Sequence, residues 1–413
     1  MADKSPPRRR VSNQYRVKEF VGAGGFGTVW RAIDEDGGPD VAVKFPRNDG
    51  SSSNSASSIR TRFRNACELA NRLDSAILPT AIVRVIESRS QDPMYLVMEF
   101  VTGDNLSSRL NAGIDMPGIE TTRRYGIPVV RALGFFHQNG VSYLDCKPEN
   151  VLVRDRSNRP ALTDFNTAEL SSTTDTLFYN DPYKAPEQTP PDEGETYSGF
   201  RADVYGAAKL LCLLLTGSVP SNNETPFHGI DVCEYGADPP ADIRHLIRRA
   251  TSTDPSQRPA DCTELLAVLR DVFGIDTAVA ELQDTRGEMV CPVRSGDTIG
   301  RVAVDGDLPD VAVADPQRYV SPVHLMLKRE NDGWLVRDQS LNGTYINAGD
   351  GWQRLLSKEG YDRLCRESPD AAPDEQLYRA SRVHQEVQLA PVDPSYLRMT
   401  FKPTHGGSAS TRH

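Results

Sequence analysis

The sequence predicts a multidomain protein in which a bilobal α+β region precedes an all-β sandwich. Short β-rich runs alternate with turns over residues 15–99, whereas the pattern over residues 106–273 is mainly helical. Short strands return after residue 288, separated by turn pairs such as Asn342-Gly343. We therefore expect a disordered lead-in over 1–14, a bilobal domain over 15–273, a linker over 274–286, a sandwich over 287–403 and a disordered tail over 404–413.

The composition excludes several classes of protein. A formal net charge of −10 over 413 residues argues against a general nucleic-acid binder. The longest apolar run, residues 207–215, is interrupted by Lys209, and no apolar segment follows Arg8, Arg9 and Arg10, so we expect no membrane span and no secretory signal. Seven cysteines without a C-x-x-C pair favour reduced thiols in a cytoplasmic protein.

A glycine-rich segment, residues 22–29, has the pattern G-x-G-x-x-G-x-V. Glycines without a Cβ allow backbone amides to approach phosphate oxygens. The same string would suit the turn of a Rossmann fold, but strand-like runs at 28–32 and 41–45 favour a β-hairpin that covers the phosphates. The residues expected to contact a nucleotide here are Gly22, Gly24, Gly27 and Val29.

The next apolar strand, residues 41–45, contains Lys44. A lysine in such a strand is costly unless its ammonium group is paired. We therefore predict that Lys44 contacts the α- and β-phosphates of a nucleotide, with Ala42 beside it in the same site.

Two acidic segments carry the predicted chemistry. In the segment 143–150, Asp145 can accept the proton of a substrate hydroxyl, Lys147 can neutralise the transferred phosphoryl group, and Asn150 can hold Mg²⁺. In the segment 162–166, Asp164 supplies a carboxylate that can chelate Mg²⁺ across the phosphates of ATP. Together these residues predict phosphoryl transfer that uses ATP and Mg²⁺.

Residues 15–273 resemble a eukaryotic-type protein kinase catalytic domain of the bacterial style, because Ala185-Pro186-Glu187, Asp203 and Arg258 complete the family's ordered motifs. The resemblance implies a serine/threonine protein kinase that acts on protein hydroxyls. It also implies that Met98 is the gatekeeper, that Glu99 and Val101 bind adenine through the backbone, that Asp203 braces the catalytic loop, and that Glu187 pairs with Arg258.

The sequence departs from the family pattern at several positions. Tyr143-Leu144 stands where the family has His-Arg, so a phosphate on the activation segment loses its usual cationic partner. Asn166 replaces a glycine, and Asn180 replaces a threonine of the substrate loop. The helix glutamate that should pair with Lys44 is uncertain in register: Glu68 is the available carboxylate, but the pairing position falls nearer residues 65–66.

A second ordered set lies in the predicted sandwich. Gly300-Arg301, Ser321-Pro322-Val323-His324 and Asn342-Gly343-Thr344 resemble a forkhead-associated (FHA) domain, which reads phosphothreonine. The resemblance implies that Arg301 and Ser321 bind phosphate, that Asn342 binds the peptide chain, and that His324 is structural. Asn342-Gly343 by itself would be an ordinary tight turn, and Pro322 stands where the family usually has a second arginine.

Three functions remain open at this point. The first is an active kinase with protein substrates and an FHA module that binds phosphothreonine peptides. The second is a pseudokinase adaptor whose output is phosphopeptide binding. The third is a small-molecule phosphotransferase, which residues 185–187 and Arg258 argue against, since they belong to a peptide-binding segment. The FHA ligand can be a separate phosphoprotein or the chain's own autophosphorylated segment around Thr173, Thr174 and Thr176.

Overall fold

The computed structural model describes residues 6–47, 56–73, 77–171, 173–174, 181–188, 196–221, 224–275, 279–284, 290–302, 308–315, 319–330, 333–347, 352–367, 380–383, 386–389 and 398–403. The chain divides into two units. The first lies within residues 1–74 and 81–273, and the second lies within residues 75–80 and 274–413. Each unit is described by itself below.

The first unit starts with a six-stranded antiparallel sheet and one long helix. In chain order this part of the protein contains β1 (Arg10–Val11), β2 (Tyr15–Ala23), β3 (Gly27–Asp34), β4 (Val41–Pro46), α1 (Ala56–Leu73), β5 (Leu78–Pro79), β6 (Val85–Arg89) and β7 (Tyr95–Glu99). The sheet order is β1-β2-β3-β4-β7-β6, and β5 belongs to the second unit. Every residue of β4 is buried, which explains why all of its residues except Lys44 are apolar.

Two sequence-based expectations are corrected in this sheet and helix. The lead-in predicted as disordered contains β1, because Val11 is a buried apolar residue that packs in one cluster with Tyr15 and Trp30. The sequence pattern predicts a loop over the serine-rich residues 50–58 and a helix near residues 61–73, but the helix begins at Ala56. Its apolar residues recur every three or four positions and form one buried face, which fixes the helix against the sheet.

The rest of the first unit is mainly helical, as predicted. It contains α2 (Leu106–Asn111), α3 (Ile119–Thr121), α4 (Ile127–Gln138), β8 (Val151–Val153), β9 (Pro160–Leu162), β10 (Thr173–Thr174), β11 (Tyr197–Ser198), α5 (Gly199–Thr216), α6 (Ala241–Ala250) and α7 (Cys262–Val272). A π-helical turn, Thr122–Gly126, joins α3 to α4. Helix α5 is almost wholly buried, including its Asp203 and Lys209, so it forms the centre of this part of the unit. Within the described residues, no helix combines the length and apolar character needed to cross a membrane.

The second unit contains two six-stranded sheets, in agreement with the predicted sandwich. Its further elements are β12 (Val279–Asp284), β13 (Val290–Arg294), β14 (Thr298–Arg301), β15 (Val311–Val313), β16 (Leu325–Glu330), β17 (Gly333–Asp338), β18 (Thr344–Asn347), β19 (Trp352–Leu355), α8 (Lys358–Glu367), β20 (Ala380–Val383), β21 (Glu386–Leu389) and β22 (Arg398–Pro403). The sheet orders are β13-β12-β22-β21-β18-β19 and β20-β17-β16-β14-β15-β5.

Two strands of this unit lie outside the predicted sandwich of residues 287–403. Strand β12 falls in the stretch predicted as a linker, yet it lies between β13 and β22 and buries Ala280 and Leu282. Two buried apolar residues that alternate with polar ones give too short a pattern for confident recognition. Strand β5 pairs antiparallel with β15 at the edge of the second sheet, where Leu78 faces Ala312. The predicted tail, 404–413, lies outside the described residues.

Candidate functional site

The glycine-rich segment connects two antiparallel strands, which confirms the predicted hairpin. Strands β2 and β3 pair with Gly22 opposite Val29, and the amide of Gly24 donates to the carbonyl of Gly27 over 2.9 Å. A Cβ at Gly27 would lie 2.6 Å from the carbonyl oxygen of Phe45, whereas Cβ atoms at Gly22 and Gly24 would meet nothing within 4 Å. Gly27 is therefore required for close approach to β4, and the tip of the hairpin keeps open space for a ligand.

Lys44 is paired with Asp164. Its buried Nζ lies 2.9 Å from Oδ1 of Asp164, which also accepts a bond from the amide of Asn166 over 3.2 Å. Glu68 lies on the exposed face of α1, and the buried Ala66 takes the inward position. The partner of Lys44 within the described residues is therefore Asp164, in the loop that follows β9, and it is not Glu68 of α1.

Asp145 has donors on both oxygens of its carboxylate. Lys147 Nζ lies 3.0 Å and Lys184 Nζ 2.6 Å from Oδ1, while Nδ2 of Asn150 lies 2.7 Å from Oδ2. Burial alone would raise the pKa of Asp145, but the two ammonium groups outweigh burial and hold its pKa below the ordinary value. Asp145 is therefore ionised, oriented and ready to accept a hydrogen bond. Lys147 also reaches Asp181 at 3.4 Å.

The backbone of the loop that carries Asp145 is held by Asp203 from α5. The amides of Tyr143 and Leu144 donate to Asp203 over 2.7 Å and 2.6 Å, and the ring of His137 lies 3.1 Å from the same carboxylate. Leu144 has φ +64°, a left-handed conformation that a leucine rarely adopts and that these bonds stabilise. The geometry agrees with the bracing role that the resemblance implies for Asp203.

Glu187 and Arg258 form a bidentate ion pair. The two guanidinium nitrogens lie 2.6 Å and 3.0 Å from the two carboxylate oxygens. Burying a charge is costly, but Arg258 also donates to the carbonyls of Ser252 and Arg201 and stacks over the ring of Tyr205. The pair therefore fixes the segment after residue 181 to the helical core.

At the predicted hinge, Glu99 uses its side chain within the protein. Both of its carboxylate oxygens accept bonds of 2.7 Å from Arg154, and one accepts a bond of 2.8 Å from the amide of Arg84. Burial would raise the pKa of Glu99, but Arg154 outweighs it and holds that pKa low. Ala42 lies opposite Met98 in the β4–β7 pairing, next to this hinge. The adenine contacts expected of Glu99 and Val101 stay a prediction.

Sequence reasoning missed three side chains that the structure brings into this site. Lys184 bonds Asp145, Arg154 holds Glu99, and the hydroxyl of Tyr143 donates to the carbonyl of Thr163, next to Asp164. In the sequence, Tyr143 stands out only as a departure from the family, and the one signal for Lys184 is a lysine directly before Ala185-Pro186-Glu187. Arg154 has no comparable signal in the sequence.

The donor set near Asp164 fits a hard divalent cation. Oδ2 of Asp164 and Oδ1 of Asn150 accept no hydrogen bond in the part of the chain that the structure describes. Carboxylate and amide oxygens are the ligands that Mg²⁺ prefers. No group of three or more acidic, histidine or cysteine ligands occurs among the described residues, so such an ion would need oxygens of a bound phosphate or water as well.

In the second unit, the residues predicted to bind phosphothreonine lie together. The amide of Arg301 donates to the carbonyl of Ser321 over 3.2 Å, and the amide of Leu341 lies 3.4 Å from the hydroxyl of Ser321. A Cβ at Gly300 would lie 2.0 Å from the carbonyl oxygen of Pro322, so glycine is required for this approach. Asn342 follows Leu341, and its Nδ2 donates to the carbonyl of Tyr319 over 2.8 Å.

His324 links the loops beneath these residues. The amide of Ser321 donates to Nδ1 over 3.1 Å, so Nε2 must carry the proton that it shares with the carbonyl of Gly343 at 3.2 Å. Burial lowers the pKa of His324 to about 4, and the ring is therefore neutral at pH 7. The contacts agree with the structural role expected for His324.

Arg301 is the cation of this site. Its Nε is buried and has no hydrogen-bond partner among the described residues. A buried donor without a partner is costly, and a phosphate oxygen would satisfy it. The arrangement fits an anionic ligand held between Arg301, at the C-terminal end of β14, and the loop that contains Ser321.

Comparisons with known proteins give the same two regions. A family model for the protein kinase domain matches residues 15–269, and one for the FHA domain matches residues 298–362. The chain is 28% identical over 303 residues to a probable serine/threonine-protein kinase of Clostridium perfringens; the match covers 68% of this chain and 42% of that relative. It is 27% identical over 280 residues to the serine/threonine-protein kinase PrkC of Bacillus subtilis, in a match that covers 65% of this chain and 42% of PrkC. It is also 27% identical over 343 residues to the serine/threonine-protein kinase pkn3 of Myxococcus xanthus, in a match that covers 76% of this chain and 57% of that relative. The chain thus spans less than two thirds of the length of these relatives.

Proposed function

Because the chain belongs to the protein kinase family and carries an FHA domain, we propose that it is a serine/threonine protein kinase whose FHA domain binds phosphothreonine peptides. The kinase would transfer the γ-phosphoryl group of ATP to protein hydroxyls. The observation that carries this proposal is the carboxylate of Asp145, which is ionised and held by three hydrogen-bond donors. The ion pair of Lys44 with Asp164 belongs to the same candidate site.

The proposed reaction follows from the positions of these side chains. The substrate hydroxyl oxygen forms a bond to the γ-phosphorus as the bond to the β–γ bridging oxygen breaks, and ADP leaves with that electron pair. Asp145 orients the hydroxyl and accepts its proton, while Lys147, the more exposed of the two lysines, turns to the transferred group. Lys44 binds the α- and β-phosphates beneath Gly22, Gly24, Gly27 and Val29.

The metal ion has a defined place in this proposal. Asp164 and Asn150 would hold Mg²⁺, which neutralises the charge of the phosphates when it is bound. Oδ2 of Asp164 accepts no hydrogen bond among the described residues, so it could bind the ion while Oδ1 keeps its bond to Lys44.

A direct assay tests the proposal. We expect the full chain to incorporate radiolabel from [γ-³²P]ATP with Mg²⁺ into itself or into myelin basic protein, and Asp164→Ala to lose this activity. Glu68→Gln, an exposed carboxylate of the same unit, serves as the matched control. A wild-type chain that is well folded, binds ATP and yields no label would favour the pseudokinase adaptor instead.

For the FHA domain, Arg301 and Ser321 are proposed to bind the phosphate and Asn342 the peptide backbone. The buried Nε of Arg301 supports this, since a phosphate would supply its missing partner. Pro322 supplies neither a charge nor an amide donor, so we expect a modest intrinsic affinity.

We propose that one ligand is the chain's own autophosphorylated segment, in cis or on a neighbouring copy. Only residues 273–278 separate α7 from β12, and a short tether gives an effective concentration of order millimolar, which would compensate for a weak site. The backbone of Thr173–Thr174 pairs with β11, so this candidate ligand must leave that pairing before it can bind. Thr176, the third candidate, lies outside the described residues.

We also propose a reducing, cytoplasmic environment. Six cysteines among the described residues are free: Cys67, Cys146, Cys212, Cys233, Cys262 and Cys291. Burial raises the pKa of Cys146, so its thiol is protonated and unreactive, which disfavours redox control beside Asp145.

A further inference from the structure

Lys184 is a buried cation that reaches the centre of the candidate active site. Its residue is 4% exposed, and its Nζ lies 2.6 Å from Oδ1 of Asp145. The same ammonium group donates to the carbonyl oxygen of Leu144. An ammonium group is withdrawn from water only at considerable cost, and here a carboxylate and a carbonyl compensate for that cost.

Lys147 and Lys184 both contact Oδ1 of Asp145, but their side chains differ in exposure to solvent. The side chain of Lys147 is 26% exposed and also contacts Asp181 at 3.4 Å, whereas that of Lys184 is 6% exposed. When Lys147 turns toward a transferred phosphoryl group, it leaves Asp145. Lys184 then remains as the cation that contacts this carboxylate and holds it in place.

Lys184 also fixes the backbone beside Asp145. Asp203 holds the amide of Leu144 over 2.6 Å, and Lys184 holds the carbonyl of the same residue. Leu144 is thereby clamped on both sides in its left-handed conformation, with φ +64°. An arginine would be the family's residue at 144, but this leucine packs among Ala185, Ala202 and Tyr205 and cannot supply a charge there.

We infer that Lys184 is a positioning residue for phosphoryl transfer, which holds the carboxylate of Asp145 and the backbone of Leu144 in their productive geometry. This inference rests on the proposed kinase function. It assigns to the segment before Ala185 a part in catalysis, in addition to its part in substrate binding. The side chain acts through Asp145 and does not touch ATP or the substrate.

The test compares Lys184→Met with Lys209→Met in the full chain. Lys209 is a matched control, because it is a fully buried lysine of the same unit whose Nζ bonds the carbonyl of Pro220 and the hydroxyl of Thr225. With myelin basic protein as substrate, we expect Lys184→Met to lower kcat about 100-fold and to change the KM for ATP less than about threefold, since a misplaced catalytic group can lose about that factor. Lys209→Met should lower Tm and leave kcat within about threefold.

A double-mutant cycle separates positioning from general structure. If Lys184 acts through Asp145, then Lys184→Met should cost less than about threefold in the Asp145→Asn background, measured in single turnovers. Lys184→Arg keeps the charge and should recover at least about tenfold of the activity lost in Lys184→Met. If Lys184→Met does not fold, Lys184→Gln, which keeps a donor for Leu144 but no charge, replaces it in the same cycle.

The outcomes are distinguishable from failure of the proposed function. An inactive wild-type chain would overturn the kinase proposal itself. If the wild type is active, two results would overturn the inference about Lys184 and leave the kinase proposal standing. The first is a kcat of Lys184→Met within about threefold of wild type. The second is an equal loss of activity from Lys184→Met in the wild-type and Asp145→Asn backgrounds.

Discussion

Nζ of Lys44 lies 2.9 Å from Oδ1 of Asp164, and Glu68 of α1 lies exposed to solvent. The lysine of β4 is thus held by the carboxylate that is proposed to bind the metal ion, without a glutamate from the helix. On α1, Ala66 is buried and Asn65 lines a cavity with Asn166 and Thr167, so the residues near the expected pairing position carry no carboxylate.

This pairing predicts a sharp difference between two substitutions. Lys44→Ala should lower kcat/KM for ATP at least about 100-fold, because it removes the cation from the phosphates and leaves Asp164 without its partner. Glu68→Gln should change kcat/KM less than about twofold. Steady-state kinetics with circular dichroism as a folding check provide the measurement, and a large loss in Glu68→Gln would contradict the assigned pairing.

Asp145→Asn should lower the rate of phosphoryl transfer about 10²–10⁴-fold, the usual contribution of a positioned proton acceptor. The same kinetics measure this loss, and wild-type activity in a well-folded Asp145→Asn protein would contradict the assigned role.

Activity is expected not to require a phosphate on the activation segment. Leu144 packs in a buried cluster with Ala185, Ala202 and Tyr205, so the position where the family has an arginine has no charge to receive a phosphate. The combined substitution of Thr173, Thr174 and Thr176 by alanine should leave activity toward myelin basic protein within about threefold of wild type. A loss of about a hundredfold or more in a normally folded variant would show that a phosphate is needed.

Phosphothreonine binding should depend on Arg301. Arg301→Ala removes a charge-assisted bond to phosphate and should weaken binding about 10- to 100-fold at fixed salt. Arg329→Ala, which removes an exposed arginine of β16, is the matched control and should bind normally. The titrations use the full chain with Asp164→Ala, so that the chain's own phosphate does not compete. The full chain is needed because a fragment of residues 287–403 would lack β12, which lies between β13 and β22 in its sheet.

The same titrations test self-recognition. Autophosphorylation sites are mapped by mass spectrometry on the wild type, and the matching phosphothreonine peptides are then titrated. We expect at least one to bind, its phosphoserine analogue to bind much more weakly, and Arg301→Ala to weaken its binding by the same factor of about 10 to 100. If none of the mapped peptides binds, the FHA ligand is a separate phosphoprotein.

The second unit should lose stability in acid because of His324. Burial lowers the pKa of His324 to about 4, whereas that of an unfolded histidine is about 6.5. Between these pH values the unfolded chain binds a proton that the folded chain does not, so stability is full above pH 6.5 and is lost as pH falls, by at most about 3 kcal/mol. Burial raises the pKa of Asp338 to about 6, which acts in the opposite direction.

Calorimetry of wild type and His324→Gln at pH 4.5, 5.5 and 6.5 isolates this effect, because Asp338 is common to both proteins. The transition of the second unit is the one that a phosphothreonine peptide shifts upward. We expect its Tm to fall more steeply with acid in the wild type than in His324→Gln. Equal slopes in the two proteins would contradict a buried neutral histidine.

The sequence by itself determined the two domain types and the side chains of the candidate catalytic site. Asp145, Lys147 and Asn150 lie within six residues on one loop and one 3₁₀ turn, Pro148–Asn150, so local geometry alone brings them together. The hairpin that carries the glycine-rich segment is also predictable from the sequence, since strand-like runs follow it. Arg301 and Ser321 are farther apart in the chain, and their ordered family motif, rather than local geometry, predicted their meeting.

Only the tertiary structure decided which partners these side chains have. Lys184 meets Asp145 across 39 residues, and Arg154 meets Glu99 across 55 residues. Such contacts depend on how α5, the catalytic loop and the sheet pack, and no local pattern encodes them. The register of α1 was likewise decided by burial of Phe63, Ala66 and Leu69, which turned Glu68 outward. Strand β12 needed β13 and β22 on its two sides to be recognisable, because hydrogen bonds to its neighbours, rather than its own short pattern, define it as a strand.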